Sequence, residues 1–178
     1  MQASYKSTTG AEPRRFPVED SLPAIKNALQ AGKDVILTAE PGAGKSTIVP
    51  LALKNEPWLG KSRILMLQPR RVAAVAIARR MANLEGSAPG RVIGHNVRFS
   101  SNIGRDTRIE VLTEGILTRR LQKDPLLEDV GLVIFDEFHE RSVHADLCLA
   151  LCREIKREVR PDLRIMVMSA TIDTAMVE

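Results

Sequence analysis

Aromatic side chains are scarce in this sequence, which has one tryptophan, one tyrosine and four phenylalanines among 178 residues. A nucleic-acid surface built on base stacking is therefore not expected, because such surfaces need several aromatic platforms. Cysteine is scarcer still. The two present, Cys148 and Cys152, are too few and too close for a disulfide framework, and a reducing, cytoplasmic setting is expected. Two such ligands without partners at metal spacing do not make a metal site either, so both are expected to fill the core. The first fifteen residues, MQASYKSTTGAEPRR, hold no apolar run able to form a signal-peptide core or a membrane span. Residues 1–17 are expected to form a flexible tail, with no membrane association. Neither charge sign dominates, and a formal balance of +4 suits a polyanionic partner without requiring one.

Short β-rich runs recur along the chain: Asp34–Thr38, Arg63–Leu67, Ile109–Leu112, Leu132–Phe135 and Arg164–Met168. They are almost continuously apolar, as strands covered on both faces are, which predicts a mostly parallel sheet. Helical stretches between them predict right-handed βαβ units and a doubly wound α/β domain over 18–178. One helix is expected from about Arg70 to Leu84. Another follows His144, with Leu147, Leu151, Ile155 and Val159 as its buried stripe and the cysteines beside it.

Residues 39–47 read AEPGAGKST, the end of a phosphate loop with Ala39 where the first glycine of the pattern belongs. A strand ending at Thr38 and a helix beginning near Gly44 are the setting such a loop requires. Backbone amides of Gly42, Ala43, Gly44, Lys45, Ser46 and Thr47 can converge on phosphate oxygens at the positive end of the helix dipole. Lys45 adds a charge for the β and γ phosphates, and Ser46 a hydroxyl for Mg²⁺. Ala39 matters only if its position needs positive φ. Pro50 should remove one helical hydrogen bond and bend the helix.

Four apolar residues, Leu132–Phe135, run straight into Asp136-Glu137-Phe138-His139. In phosphate-loop enzymes an acid at such a strand end holds Mg²⁺, and a following glutamate orients or deprotonates the attacking water. Asp136 is assigned the metal and Glu137 the water. A solvated strand terminus is the plainer reading, and the phosphate loop upstream argues against it.

Taken in order, AEPGAGKST, LQPRRVAA, TEGIL, DEFHER and MSAT resemble helicase motifs I, Ia, Ib, II and III. The chain, from about Leu22 to Thr171, resembles the first RecA-like domain of a DEAH-box RNA helicase, and its phosphate loop most resembles that of the bacterial HrpB subfamily. The resemblance implies a RecA-like P-loop NTPase fold, ATP or another NTP with Mg²⁺ as cofactors, and RNA as partner, single-stranded or structured. It further implies that Gln68-Pro69-Arg70-Arg71 and Thr113-Glu114-Gly115 hold the RNA backbone, and that Arg80 stacks on the nucleotide base while Arg79 is surface charge. His139, Ser169 and Thr171 resemble groups that couple nucleotide state to domain movement. Gly94-His95-Asn96-Val97-Arg98-Phe99 is similar to the family's G-Y-x-I-R-F stretch, with His95 given no chemistry. Departures are Phe138 for alanine, Glu114 for aspartate and Ala39 for glycine; none removes a ligand or base.

Helicases of this kind close two RecA-like domains around ATP, and the second supplies arginine fingers worth ~10³ to 10⁵ in turnover. Because Glu178 lies just past motif III, the chain is expected to be an isolated, monomeric first domain that hydrolyses ATP very slowly and does not unwind RNA alone. Two other readings stay open: a non-catalytic nucleotide-dependent RNA-binding or scaffold module, and a small-molecule kinase, which Asp136-Glu137 and the lack of a lid weaken.

Overall fold

The structure, a computed structural model, describes residues 15–171. Its order is a 3₁₀ turn (Pro17–Ser21), α1 (Leu22–Gln30), β1 (Val35–Thr38), α2 (Lys45–Leu53), a second 3₁₀ turn (Pro57–Leu59), β2 (Arg63–Leu67), α3 (Arg71–Glu85), β3 (Ile93–Val97), β4 (Ser100–Asn102), β5 (Ile109–Leu112), α4 (Glu114–Lys123), β6 (Val130–Phe135), a third 3₁₀ turn (Phe138–Glu140), α5 (Val143–Glu158) and β7 (Arg164–Ser169). The strands form one seven-stranded sheet in the order β1-β7-β6-β2-β5-β3-β4, parallel throughout except for the β3–β4 hairpin. All five expected strands are present, each within about two residues of its expected limits.

Two-sided burial explains the continuous apolar runs. Alternate residues of each strand face opposite sides. Ile64, Met66, Ile134 and Met168 pack with α1, α2 and α3, whereas Leu65, Leu67, Phe135 and Val167 pack with α4 and α5. Parallel pairing brings the carboxyl ends of β1, β7, β6, β2 and β5 to one edge of the sheet, where open α/β sheets place their ligand sites.

Helix α5 corrects the expected stripe. Leu147, Leu151 and Val159 are exposed, and the buried line is Ala145, Cys148 and Cys152 with Ile155 partly covered. A strict four-residue repeat advances 40° past each full turn, so it precesses around a 3.6-residue helix. The 3-4-3 spacing of 145, 148, 152 and 155 does not. Both cysteines are thus core residues with no exposed surface, and burial pushes the Cys152 thiol up to about 12. Helix α2 runs through Pro50 to Leu53.

The tail expected over 1–17 lies outside the described residues up to position 14. Phe16 and Pro17 belong instead to the packed domain: Phe16 rests against the core and Pro17 begins the first 3₁₀ turn. No helix among the described residues is long and apolar enough to cross a membrane.

Candidate functional site

The loop between β1 and α2 is held open by two left-handed glycines, Gly42 at φ 84° and Gly44 at φ 91°. A side chain at either would be strained. Ala39 is not in that conformation; its amide donates to the Ser169 carbonyl at 3.1 Å, as a strand continuation would, which is why alanine suffices there. The amides of Gly42, Gly44, Lys45 and Ser46 donate to no main-chain carbonyl among the described residues. They are the orphan donors of a helix start and the preceding turn, and with the dipole of α2 they have the character that an anion site needs. Ala43 and Thr47 differ from expectation, since their amides are engaged by Glu40 and Gly44 carbonyls, each at 3.2 Å.

Support for this loop comes from Phe16, which lies within the stretch expected to be a tail. Phe16 covers Gly44 so closely that a Cβ there would stand 2.9 Å from the Phe16 Cδ1, and the Val18 amide donates to the Ala43 carbonyl at 3.2 Å. The Phe16 amide in turn donates to the Glu19 carboxylate at 3.0 Å. Helix-start chemistry in Phe16-Pro17-Val18-Glu19, a proline followed two residues later by glutamate, was the available signal. Phe16→Ala is expected to lower stability by about 1 to 2 kcal/mol, less than for a fully buried phenylalanine, and to weaken nucleotide binding, with Phe16→Leu restoring most of both. Thermal melts beside titration with a fluorescent nucleotide check this; a melting shift with unchanged nucleotide affinity would leave Phe16 with no part in shaping the loop.

Arg80, on the exposed face of α3, lines a cleft of about 840 Å³ together with Phe16, Thr38 and residues 39–43 of the loop. The base-stacking role that the family resemblance implies for Arg80 requires this side of the cleft. Arg79 lines a different depression, beside Val97 and Arg98.

Asp136 follows β6 and is 4% exposed. Its carboxylate accepts the Glu137 amide at 2.9 Å, the Gln68 side-chain amide and the Ser46 hydroxyl. Burial nevertheless dominates these bonds and pushes the carboxyl up to about 6, with the neighbouring Glu137 charge adding to the rise. Gln68 therefore faces the acid, not the strip expected to hold RNA. A desolvated carboxylate meeting a hydroxyl at a phosphate loop is a hard-oxygen donor pair, which suits Mg²⁺ with phosphate and water completing its shell. These two residues fit the metal that the sequence assigned to them.

Glu137 takes a left-handed conformation, φ 52° and ψ 36°. That costs a non-glycine residue about 1 kcal/mol or more and turns the chain sharply off the strand. Its carboxylate ends 3.6 Å from the buried Lys45 ammonium and 3.6 Å from the His139 Nδ1. The same Nδ1 accepts the Ala170 amide at 3.2 Å, so it carries no proton in this geometry and the Glu137 approach is not an ion pair. The Ala170 bond ties the end of β7 to this cluster, and Ser169 Oγ donates to the Thr171 carbonyl at 2.6 Å, which tightens the turn that follows β7.

The expected RNA residues lie one and two strands further along the same edge. Arg70 and Arg71 start α3, both exposed, with Arg70 forked onto Glu140. Thr113 begins α4, Glu114 accepts the Ser142 hydroxyl at 2.6 Å, and a side chain at Gly115 would meet no neighbour within 4 Å. Helix α4 is anchored to the sheet by the wholly buried Glu110, which takes Arg120 at 3.0 Å and Asn96 at 2.9 Å. His95 is buried and bonded to Ser100 at 3.0 Å across the hairpin; burial first, then Arg79, lowers its pKa.

Comparison with known proteins identifies the family and the fold. The family profile described as DEAD/DEAH box helicase matches residues 20–178. The ATP-dependent RNA helicase HrpB of Escherichia coli is 48% identical over 158 residues, 89% of this chain and 19% of that protein. The human probable ATP-dependent RNA helicase DHX35 is 40% identical over 162 residues, 90% of this chain and 23% of that one. A crystal structure of E. coli HrpB, described as a DEAH/RHA helicase, superposes with a TM-score of 0.86 at 46% identity over 91% of this chain and 21% of its own. The chain thus spans about a fifth of the length of the relatives it matches. With the fold, the motif order and the profile in agreement, this chain belongs to the DEAD/DEAH box helicase family and is its RecA-like, phosphate-loop domain.

Proposed function

We propose that this domain is the first half of an ATP-driven RNA helicase motor, binding ATP with Mg²⁺ at the ends of β1, β6 and β7 and one RNA strand at the ends of β2 and β5. The observation that carries this is the convergence of Lys45, Ser46, Asp136 and Glu137 at one point of the sheet edge, with Arg70, Arg71 and Thr113–Gly115 beside it. The names of the relatives supply RNA as the nucleic acid.

In the mechanism, the loop amides and Lys45 bind the triphosphate, and Lys45 exchanges Glu137 for phosphate oxygens. Ser46 and Asp136 would hold Mg²⁺, which supplies charge neutralisation at the β and γ phosphates. Glu137, released from Lys45, orients the attacking water and takes its proton. His139 holds the end of β7 through Ala170, so a shift of the Glu137–His139 turn reaches Ser169 and Thr171. Arg80 stacks on the base. A second RecA-like domain closes the site and provides the arginine finger; without it, turnover falls by ~10³ to 10⁵.

Arg70→Ala and Arg71→Ala test the RNA half. Each is expected to weaken single-stranded RNA binding equally across sequences and to reduce the slope of log affinity against log salt by about 0.7, the value for one lost phosphate contact on a single strand. Anisotropy titrations of labelled oligonucleotides at several salt concentrations measure both, and an unchanged slope would remove these arginines from the RNA path.

A further inference from the structure

Glu140 closes the turn that carries the acidic residues, and its carboxylate is engaged by Arg70. It grips Arg70 from two sides, Nη2 to Oε1 at 3.1 Å and Nε to Oε2 at 3.3 Å. Arg70 remains 74% exposed within this fork and Glu140 is 32% exposed, so a large anion can reach the guanidinium. Two residues later, Ser142 donates to Glu114 and accepts the Ala145 amide at 3.2 Å, which anchors the far end of the segment to the start of α4 and α5. Left-handed residues, Glu137 and Arg141 at φ 52° and 41°, bracket the turn. A cavity of about 200 Å³ beside it is walled by Pro69, Glu114, Asp136, Glu140 and Ser142, giving the carboxylate somewhere to move.

We propose that Glu140 is a positioning residue that occupies Arg70 in place of an RNA phosphate, and that an arriving RNA backbone displaces it. The turn bearing Glu137 and His139 then senses RNA directly. This rests on Arg70 being a phosphate contact. Carboxylate and phosphate compete for the same guanidinium fork, and each binds it in two-pronged fashion. A pair this exposed is weak, so one phosphate suffices to open it. Displacement moves the middle of a segment held at Asp136 and Ser142, three residues from the water-activating glutamate. Linkage is reciprocal: the factor by which RNA changes nucleotide affinity is the factor by which nucleotide changes RNA affinity.

The test is the affinity of the chain for a fluorescein-labelled oligouridylate, with and without Mg²⁺ and a non-hydrolysable ATP analogue. Glu140→Gln is expected to tighten RNA binding about two- to fivefold, the range an exposed ion pair allows, and to bring the effect of nucleotide on RNA affinity toward none. Glu128→Gln makes the same charge change at the opposite end of β6, roughly 20 Å away along the strand, and is expected to do much less. In an Arg70→Ala background, Glu140→Gln is expected to have no further effect. Equal tightening by Glu140→Gln and Glu128→Gln, or tightening that persists without Arg70, is general electrostatics and overturns the proposal. If Arg70→Ala alone leaves RNA affinity unchanged, the reading of Arg70 fails and the gate with it. If Arg70→Ala weakens RNA and Glu140→Gln does nothing, only the gate fails.

Discussion

Glu137→Gln is expected to slow ATP hydrolysis by about 10² to 10⁴, the usual range for loss of a positioned general base, while ATP affinity holds or rises. The asymmetry follows from the geometry. Glu137 contributes no donor to the triphosphate, and its carboxylate sits 3.6 Å from the Lys45 ammonium that must receive it. Glutamine keeps the length of the side chain and can adopt the same left-handed backbone, but it neither repels phosphate nor accepts a proton from water. Lys45, the loop amides, Ser46 and Asp136 are left in place. Single-turnover hydrolysis with saturating RNA, set beside equilibrium binding of a fluorescent ATP analogue, separates chemistry from binding. Hydrolysis at the parental rate would mean that another group handles the water; a matched fall in affinity and rate would mean that the substitution had disturbed the loop.

Much of this site is legible in the sequence because its parts are local. A phosphate loop is nine consecutive residues, and the acidic strand end is eight. Residues such as Lys45, Ser46, Asp136 and Glu137 need only a strand before them and a parallel sheet to bring them together. What stayed hidden depends on contacts between distant segments. Gln68 reads as part of an RNA-facing run, and only the adjacency of β2 and β6 shows that its amide serves Asp136, 68 residues away. Phe16 reads as tail because one aromatic residue in a polar stretch carries no periodicity; its function as a cover for Gly44 appears only when the chain folds back. The α5 stripe failed for a different reason, since leucines at four-residue spacing attract the eye while the line that follows the true helical period holds an alanine and two cysteines.

Another consequence of the fold is that both proposed ligands meet one short segment. From Glu137 to Ser142 the chain touches Lys45, the Ala170 amide, Arg70 and Glu114, so the other four motifs are joined through DEFHER and the serine that follows it. Its ends are fixed, at Asp136 by burial and at Ser142 by capping α5. A small displacement in the middle therefore has defined destinations on both sides, which is the arrangement a two-state coupling element needs.

Asp136→Asn is expected to make the domain more stable while ending its response to Mg²⁺. Folding takes this carboxyl from an ordinary 3.8 up to about 6, chiefly through burial. The folded state therefore holds the proton more tightly than the unfolded chain, and protonation favours folding. The penalty for burying the charge is absent below pH 3.8, grows as the pH rises from 3.8 to about 6, and is fully present above that. Two units correspond to about 3 kcal/mol, or roughly 6 to 12 °C in melting temperature for a domain of this size. Asparagine keeps an oxygen for the Glu137 amide, and the Gln68 side chain can rotate to offer its own oxygen to the new amide group. The stability difference between variant and parent should therefore be small near pH 4 and reach its plateau by about pH 7. Mg²⁺ with ADP should then raise the melting temperature of the parent, because a ligand that binds only the folded form stabilises it, and should raise that of the variant far less. A difference that stays flat with pH, or a variant less stable than its parent at neutral pH, would mean that Ser46, Gln68 and the Glu137 amide already offset the buried charge, and that Asp136 holds no destabilising charge in readiness for the metal.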